Sequence, residues 1–130
     1  MLLIIDTNIL IEIDWGNEDL IKRIENIMLD YPDAEPAVTW VNYFEFYYGK
    51  AKKPETAQKA LEFLANFSYL GMDIEATQTF VHLRRDKINA PDVKDFDLVI
   101  ASITIANDAI LITKDSDFKQ VKNLNVKFLE

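Results

Sequence analysis

A chain of 130 residues with 49% hydrophobic content and a formal charge of -8 has apolar material for one ordinary core, and nothing in it marks a second domain. It contains no cysteine and a single histidine, His82, which excludes disulfide frameworks, thiolate nucleophiles, cysteine-based zinc sites and histidine clusters. The acidic balance excludes a protein that coats nucleic acid by bulk charge, because such proteins neutralise phosphates with clustered lysine and arginine.

Taken in chain order, Leu2 to Ile5 read as a buried strand that runs into Asp6, Thr7 and Asn8, with a short helix from Asn8 to Ile13. Glu18 to Leu29 form an amphipathic helix with Leu20, Ile21, Ile24, Ile27 and Met28 on its apolar side. Tyr31 to Pro36 break the pattern, and a strand at Ala37 to Thr39 leads into a helix from Val41 to Lys50. Pro54 starts a helix reaching Phe67, and Tyr69 to Met72 form a weak strand. Glu75 to Ile88 are helical, Asn89 to Lys94 a loop, and Asp95 to Asn107 a helix with Asp95 as N-cap and Phe96, Val99, Ile100, Ile103 and Ile105 as its apolar positions. "AILIT" is a strongly β run, Val121 begins a turn, and Val126 to Leu129 close as an edge strand. This β-α alternation predicts a single domain over 1–130, an α/β fold with a mainly parallel sheet covered by helices on both faces. The apolar start is too short for a signal peptide and lacks a basic flank, and no later stretch is long and uncharged enough to span a bilayer. The expected compartment is therefore the cytoplasm, with no membrane partner.

In a parallel sheet, ligands bind at the carboxyl ends of the strands near the switch in strand order, and acids fall there. Asp6 follows the first strand, while Asp115 and Asp117 follow "AILIT". Asn42 and Glu45 share one face of an apolar, aromatic helix, where a carboxylate among Trp40, Val41, Phe44, Phe46 and Tyr47 needs a cation, a metal or strong donors. Asp97 sits in the first turn of its helix. Each acid also admits a local role: Asp6 as a helix cap, Asp97 as a complement to the helix dipole, Asp115 and Asp117 as turn residues. Four acids converging on one rim repel one another unless a divalent cation joins them, which points to oxygen ligands around Mg²⁺ or Mn²⁺. Lys50, Lys52 and Lys53, and Arg84, Arg85 and Lys87, form small basic patches, for which a solvated helix face is the default. Lys114 is read as solvated, and His82 as a surface or packing residue.

The ordered set "IIDTNIL", "NYFEFYYG", "DFDLVIAS" and "LITKDSDF" resembles the PIN domain family, close to the VapC-type toxins, over essentially the whole chain. The resemblance implies a three-layer α/β/α sandwich and metal-dependent cleavage of RNA. It implies Asp6, Glu45, Asp97 and Asp115 as the catalytic and metal-holding acids, and Asp117 is either an additional ligand or a loop acid. Thr7 and Asn8 are expected to orient Asp6, Asn42 belongs to the same supporting set, and Thr113 is expected to orient Asp115. The implied partners are an RNA substrate and a small antitoxin. A homodimer is expected from the aromatic density of Phe44, Phe46, Tyr47, Tyr48, Phe63 and Phe67. Two alternatives remain: a PIN-like binding module with weak or no catalysis, which would lack an acid, and a receiver-like Mg²⁺ domain, which requires paired acids after the first strand.

Overall fold

In the computed structural model, residues 1–85 and 92–129 are described. The predicted helix residues beyond Arg85, and the first part of the predicted loop, lie outside them. The elements are β1 (Leu2–Ile5), α1 (Thr7–Asp14), α2 (Glu18–Leu29), β2 (Glu35–Thr39), α3 (Trp40–Lys50), α4 (Pro54–Leu64), β3 (Ser68–Leu70), α5 (Ile74–Arg85), α6 (Asp95–Ala106), β4 (Ile110–Thr113) and β5 (Val126–Phe128). A 3₁₀ turn spans Ser116–Gln120.

The sheet runs β3-β2-β1-β4-β5, and every pairing is parallel. Ile4 of β1 stands opposite Ala37 of β2 and Leu111 of β4. The order explains the composition of the strands, since β1 and β4 are central and covered on both faces, and both read as unbroken apolar runs. Alternation then divides the core. Ile4, Ala37 and Leu111 point to one face, against Ala76 and Leu83 of α5 and Leu98, Ile100 and Ile103 of α6. Leu3, Ile5, Val38, Ile110 and Ile112 point to the other, against Ile9 and Leu10 of α1, Leu20 and Ile24 of α2, Phe46 of α3 and Leu64 of α4. Each fully buried Leu or Ile contributes roughly 1.5–3 kcal/mol through removal from water. Among the described residues no helix is long and apolar enough to cross a membrane.

Three local readings change. Helix α4 stops at Leu64, before Phe67, because Ser68 already belongs to β3. Asp95 is the first helical residue and not the N-cap: Lys94 holds the cap position, and the Asp95 carboxylate takes the Arg84 guanidinium at 2.8 Å instead. Phe96 does not face the core. It is 51% exposed and meets the edge of Trp40, with ring centroids 6.0 Å apart, because it lies in the first turn of α6, ahead of the buried stretch from Leu98 to Thr104.

Candidate metal centre

Strands β1 and β4 are neighbours, so their carboxyl ends deliver Asp6 and Asp115 to the same rim. The ladder continues one step past β1, with the Asp6 N–H donating to the Ile112 carbonyl at 3.0 Å. Chain direction reverses at this point: β1 leads outward to β2 and β3, and the chain then crosses to β4 on the far side. The rim between β1 and β4 is therefore the topological switch point.

Asp6 is 7% exposed and held from three directions. Its Oδ1 accepts from the Thr7 N–H at 2.9 Å and from the Asn42 amide at 3.1 Å, and its Oδ2 accepts from the Thr113 hydroxyl at 2.5 Å. The first of these makes Asp6 the N-cap of α1, so the local role and the site role coexist in one side chain. Asn42, fully buried, has every amide group satisfied. Its oxygen accepts from the Thr39 hydroxyl at 2.7 Å and the Thr39 N–H at 3.2 Å, and its NH₂ donates to Asp6 and, at 3.1 Å, to the Thr7 hydroxyl. The Thr7 hydroxyl in turn donates to Glu45 Oε1 at 2.7 Å. A continuous polar chain thus runs from the end of β2 to Glu45, anchored by the Thr39–Asn42 capping box that starts α3.

The outer acids are arranged differently. Asp97, Asp115 and Asp117 each bring one carboxylate oxygen within 4.8 Å of the others. Asp115 caps the 3₁₀ turn, its Oδ1 accepting from the Asp117 N–H at 2.9 Å. Asp97 accepts no hydrogen bond among the described residues. Burial, and then the charges of Asp115, Asp6, Glu45 and Asp117 in that order, push its carboxyl up to about 6 from an ordinary 3.8. Burial also raises Asp6, with Glu45 and Asp115 adding to it and the Thr113 and Thr7 donors opposing. The mutual effects tie all five acids into one electrostatic unit.

Among the described residues no lysine or arginine forms an ion pair with any of the five. Lys114, expected in solvent, is bound to Glu12 at 2.7 Å, Lys50 to Asp14 at 3.1 Å and Arg84 to Asp95. The donor set fits a hard divalent cation: all ligands are oxygen, and oxygens 2.0–2.6 Å from an ion stand up to roughly 4–5 Å apart across it.

The sequence reading of Glu45 needs correction. It is exposed rather than buried among aromatics, and Phe44 and Tyr48, stacked on each other at 5.8 Å, are exposed as well. Helix periodicity turns Val41, Asn42 and Phe46 inward and leaves these side chains outside. Asn8 is exposed and donates nothing to the acids. Thr113 reaches Asp6 with its hydroxyl hydrogen, while its oxygen accepts from the Asp115 N–H at 3.0 Å, so it serves both acids. Thr39 was missed, although a threonine three residues before Asn42 at a helix start carries the capping signature. His82 is exposed on α5.

An all-parallel α/β/α domain with acids gathered at its switch point is the class that fold and site define together. The PIN domain model matches residues 3–124, and the chain belongs to the PIN domain family. Among solved structures, a chain of "VapBC2 from Rickettsia felis bound to a DNA fragment from their promoter" is similar at 25% identity, with all of both chains covered and a TM-score of 0.84. A chain of VapBC-1 from nontypeable Haemophilus influenzae is similar at 17% identity, covering 98% of each chain, with a TM-score of 0.83. A toxin-antitoxin complex from Klebsiella pneumoniae gives 23% identity over 94% of each chain and 0.74. No curated protein matches the chain in sequence.

Proposed function

We propose that the chain is a metal-dependent endoribonuclease of the VapC type, the toxin of a toxin-antitoxin pair acting in the cytoplasm. The observation that carries this reading is the gathering of five acids at the β1/β4 switch point, with no ion pair from a lysine or arginine to offset them among the described residues. Membership of the PIN family and the fold shared with chains of VapBC complexes support it.

Asp6, Glu45, Asp97 and Asp115 are the acids that would hold Mg²⁺ or Mn²⁺, with Asp117 adding a further oxygen. A divalent cation bound there lowers the pKa of a water and offsets charge developing on phosphate oxygens. The chain's own residues supply order. Thr113, Asn42 and the Thr7 N–H fix the Asp6 carboxylate, so it needs no reorganisation when charge arrives. Glu45, with Oε1 occupied by the Thr7 hydroxyl, keeps Oε2 to accept a proton from attacking water. Cleavage of an unstructured RNA in Mg²⁺ or Mn²⁺, and none in EDTA, is the expected result. Cleavage that persists in EDTA would overturn the reading.

The antitoxin is the partner that the VapBC neighbours suggest. A homodimer is supported by Phe44 and Tyr48, 51% and 73% exposed, which remain outside once Phe46 is buried and Phe63 and Phe67 pack against the core. Light scattering on wild type and on the Phe44→Ser, Tyr48→Ser double variant tests this: a dimer that the variant dissociates is expected.

A further inference from the structure

Beside the acids lies a cavity of about 500 Å³ lined by Glu45, Lys94, Asp95, Phe96 and Asp97. Two of its walls are candidate metal ligands, so whatever fills it adjoins the reacting phosphate. The other walls are unusual. Phe96 is a large apolar ring placed between two aspartates, half open to solvent, with the Trp40 edge beside it. Lys94 is exposed and has no ion-pair partner among the described residues. Asp95, its neighbour, is already neutralised by Arg84 at 2.8 Å. Lys114, which follows β4 at the rim, is held by Glu12. Lining the same cavity as Asp97 and without an ion pair among the described residues, Lys94 is placed to meet a phosphate there.

We propose that this cavity seats the nucleotide next to the scissile phosphate, its base stacked on Phe96 and its adjoining phosphate held by Lys94. An aromatic face receives a base only when the base is free of its own stack, which a paired duplex does not permit. A pocket of this volume is of ordinary size for a small ligand and takes a single nucleotide. The ring's exposure, which costs apolar contact with water in the empty protein, then has a use that burial in the core would remove.

The inference rests on the nuclease reading above, and its test separates the two. Fluorescence anisotropy in Ca²⁺, which takes oxygen ligands but activates water far less than Mg²⁺, follows binding of an unpaired oligoribonucleotide, while gel assays in Mg²⁺ follow cleavage of the same strand. Loss of the stack weakens binding roughly ten- to hundredfold. Phe96→Leu, which keeps apolar volume and lacks a π-face, is expected to show that loss, with KM rising more than kcat falls. Phe96→Trp is expected to bind as tightly as wild type. Neither substitution is expected to change binding of the same sequence in a full duplex. Lys94→Gln is expected to lower the salt slope by about 1. Phe96→Leu binding as wild type, or Phe96→Trp binding as weakly as Phe96→Leu, overturns the base seat, as does an unchanged salt slope for the phosphate contact. If Phe96→Leu spares RNA binding but releases a co-purified antitoxin, the cavity is a protein contact and the proposal fails. Absence of any wild-type cleavage in Mg²⁺ or Mn²⁺ strikes the nuclease reading instead, and the anisotropy series still decides the base seat.

Discussion

Asp6 and Asp97 stand on the same rim with the same side chain, and the protein treats them in opposite ways. Asp6 is sunk at the end of β1 and receives an N–H, an amide and a hydroxyl. Asp97, at the start of α6, receives no hydrogen bond among the described residues and carries the charge of four neighbouring acids. One carboxylate is wired in place before any ligand arrives, whereas the other is loaded and waiting. The difference shows how a site can be both pre-organised and receptive to a cation: the inner acid provides geometry, and the outer acids provide field.

The largest expected effect comes where the two acids act together. Asp6→Asn and Asp97→Asn should each lower metal-dependent RNA cleavage by at least ten- to hundredfold, roughly 1.4 to 2.8 kcal/mol of barrier, with the far-UV spectrum unchanged. Single-turnover rates in saturating Mg²⁺ measure it.

Stability should then part them. Asp6→Ala strips the acceptor from Asn42, Thr113 and the α1 cap, and should cost about 2 kcal/mol, or ~5–8 °C in Tm, with or without metal. Asp97→Ala in EDTA at neutral pH removes only repulsion and should melt at or above wild type. Equal losses for both variants would mean that the contrast between wired and loaded acids is wrong.

Mg²⁺ should raise the wild-type Tm. With a Kd on the order of 1 mM, ~10 mM metal adds about 1.4 kcal/mol, or roughly 3–6 °C. Asp97→Ala should lose most of that gain, and coincident melts in EDTA and Mg²⁺ would contradict the metal centre.

The pH response follows from the same comparison. Because folding raises Asp97 from 3.8 to about 6, the folded chain binds more protons than the unfolded one between those values. Its contribution to stability therefore falls as pH rises through that window and is fully unfavourable above it. Asp6 is displaced in the same direction. In EDTA, the wild-type Tm should drop from pH 4 to pH 6.5 more steeply than that of Asp97→Asn, and Mg²⁺ should flatten the difference. Smallest of all, Glu45→Gln should shift stability by less than about 0.5 kcal/mol, since the side chain is exposed and meets only Thr7.

Much of the inner region was legible because it follows from local pattern. An apolar run stopping at Asp6 marks a strand end, and the β-α alternation fixes which end of the sheet collects acids. The outer region was harder. Glu45 was singled out, but aromatic composition misled about its surroundings, because burial on α3 follows the angular position of each side chain and not the average of its neighbours. Phe96 was assigned inward, although it lies in the first turn of α6, ahead of the stretch from Leu98 to Thr104 that is buried on every side. Thr113 was expected to act on Asp115, and its hold on Asp6 depends on the β1–β4 register, which no local window contains.

That register also bears on the order of events during folding. The Thr113 hydroxyl and the Asp6 carboxylate are separated by 107 positions along the chain, and their contact closes only when β4 seats beside β1. Pairings of such long separation carry a large loop-closure entropy and form slowly, after helices and nearby strands have consolidated. A polypeptide that ends before β4 has no Asp115 and no Thr113 to align Asp6, so the candidate metal centre is incomplete in it.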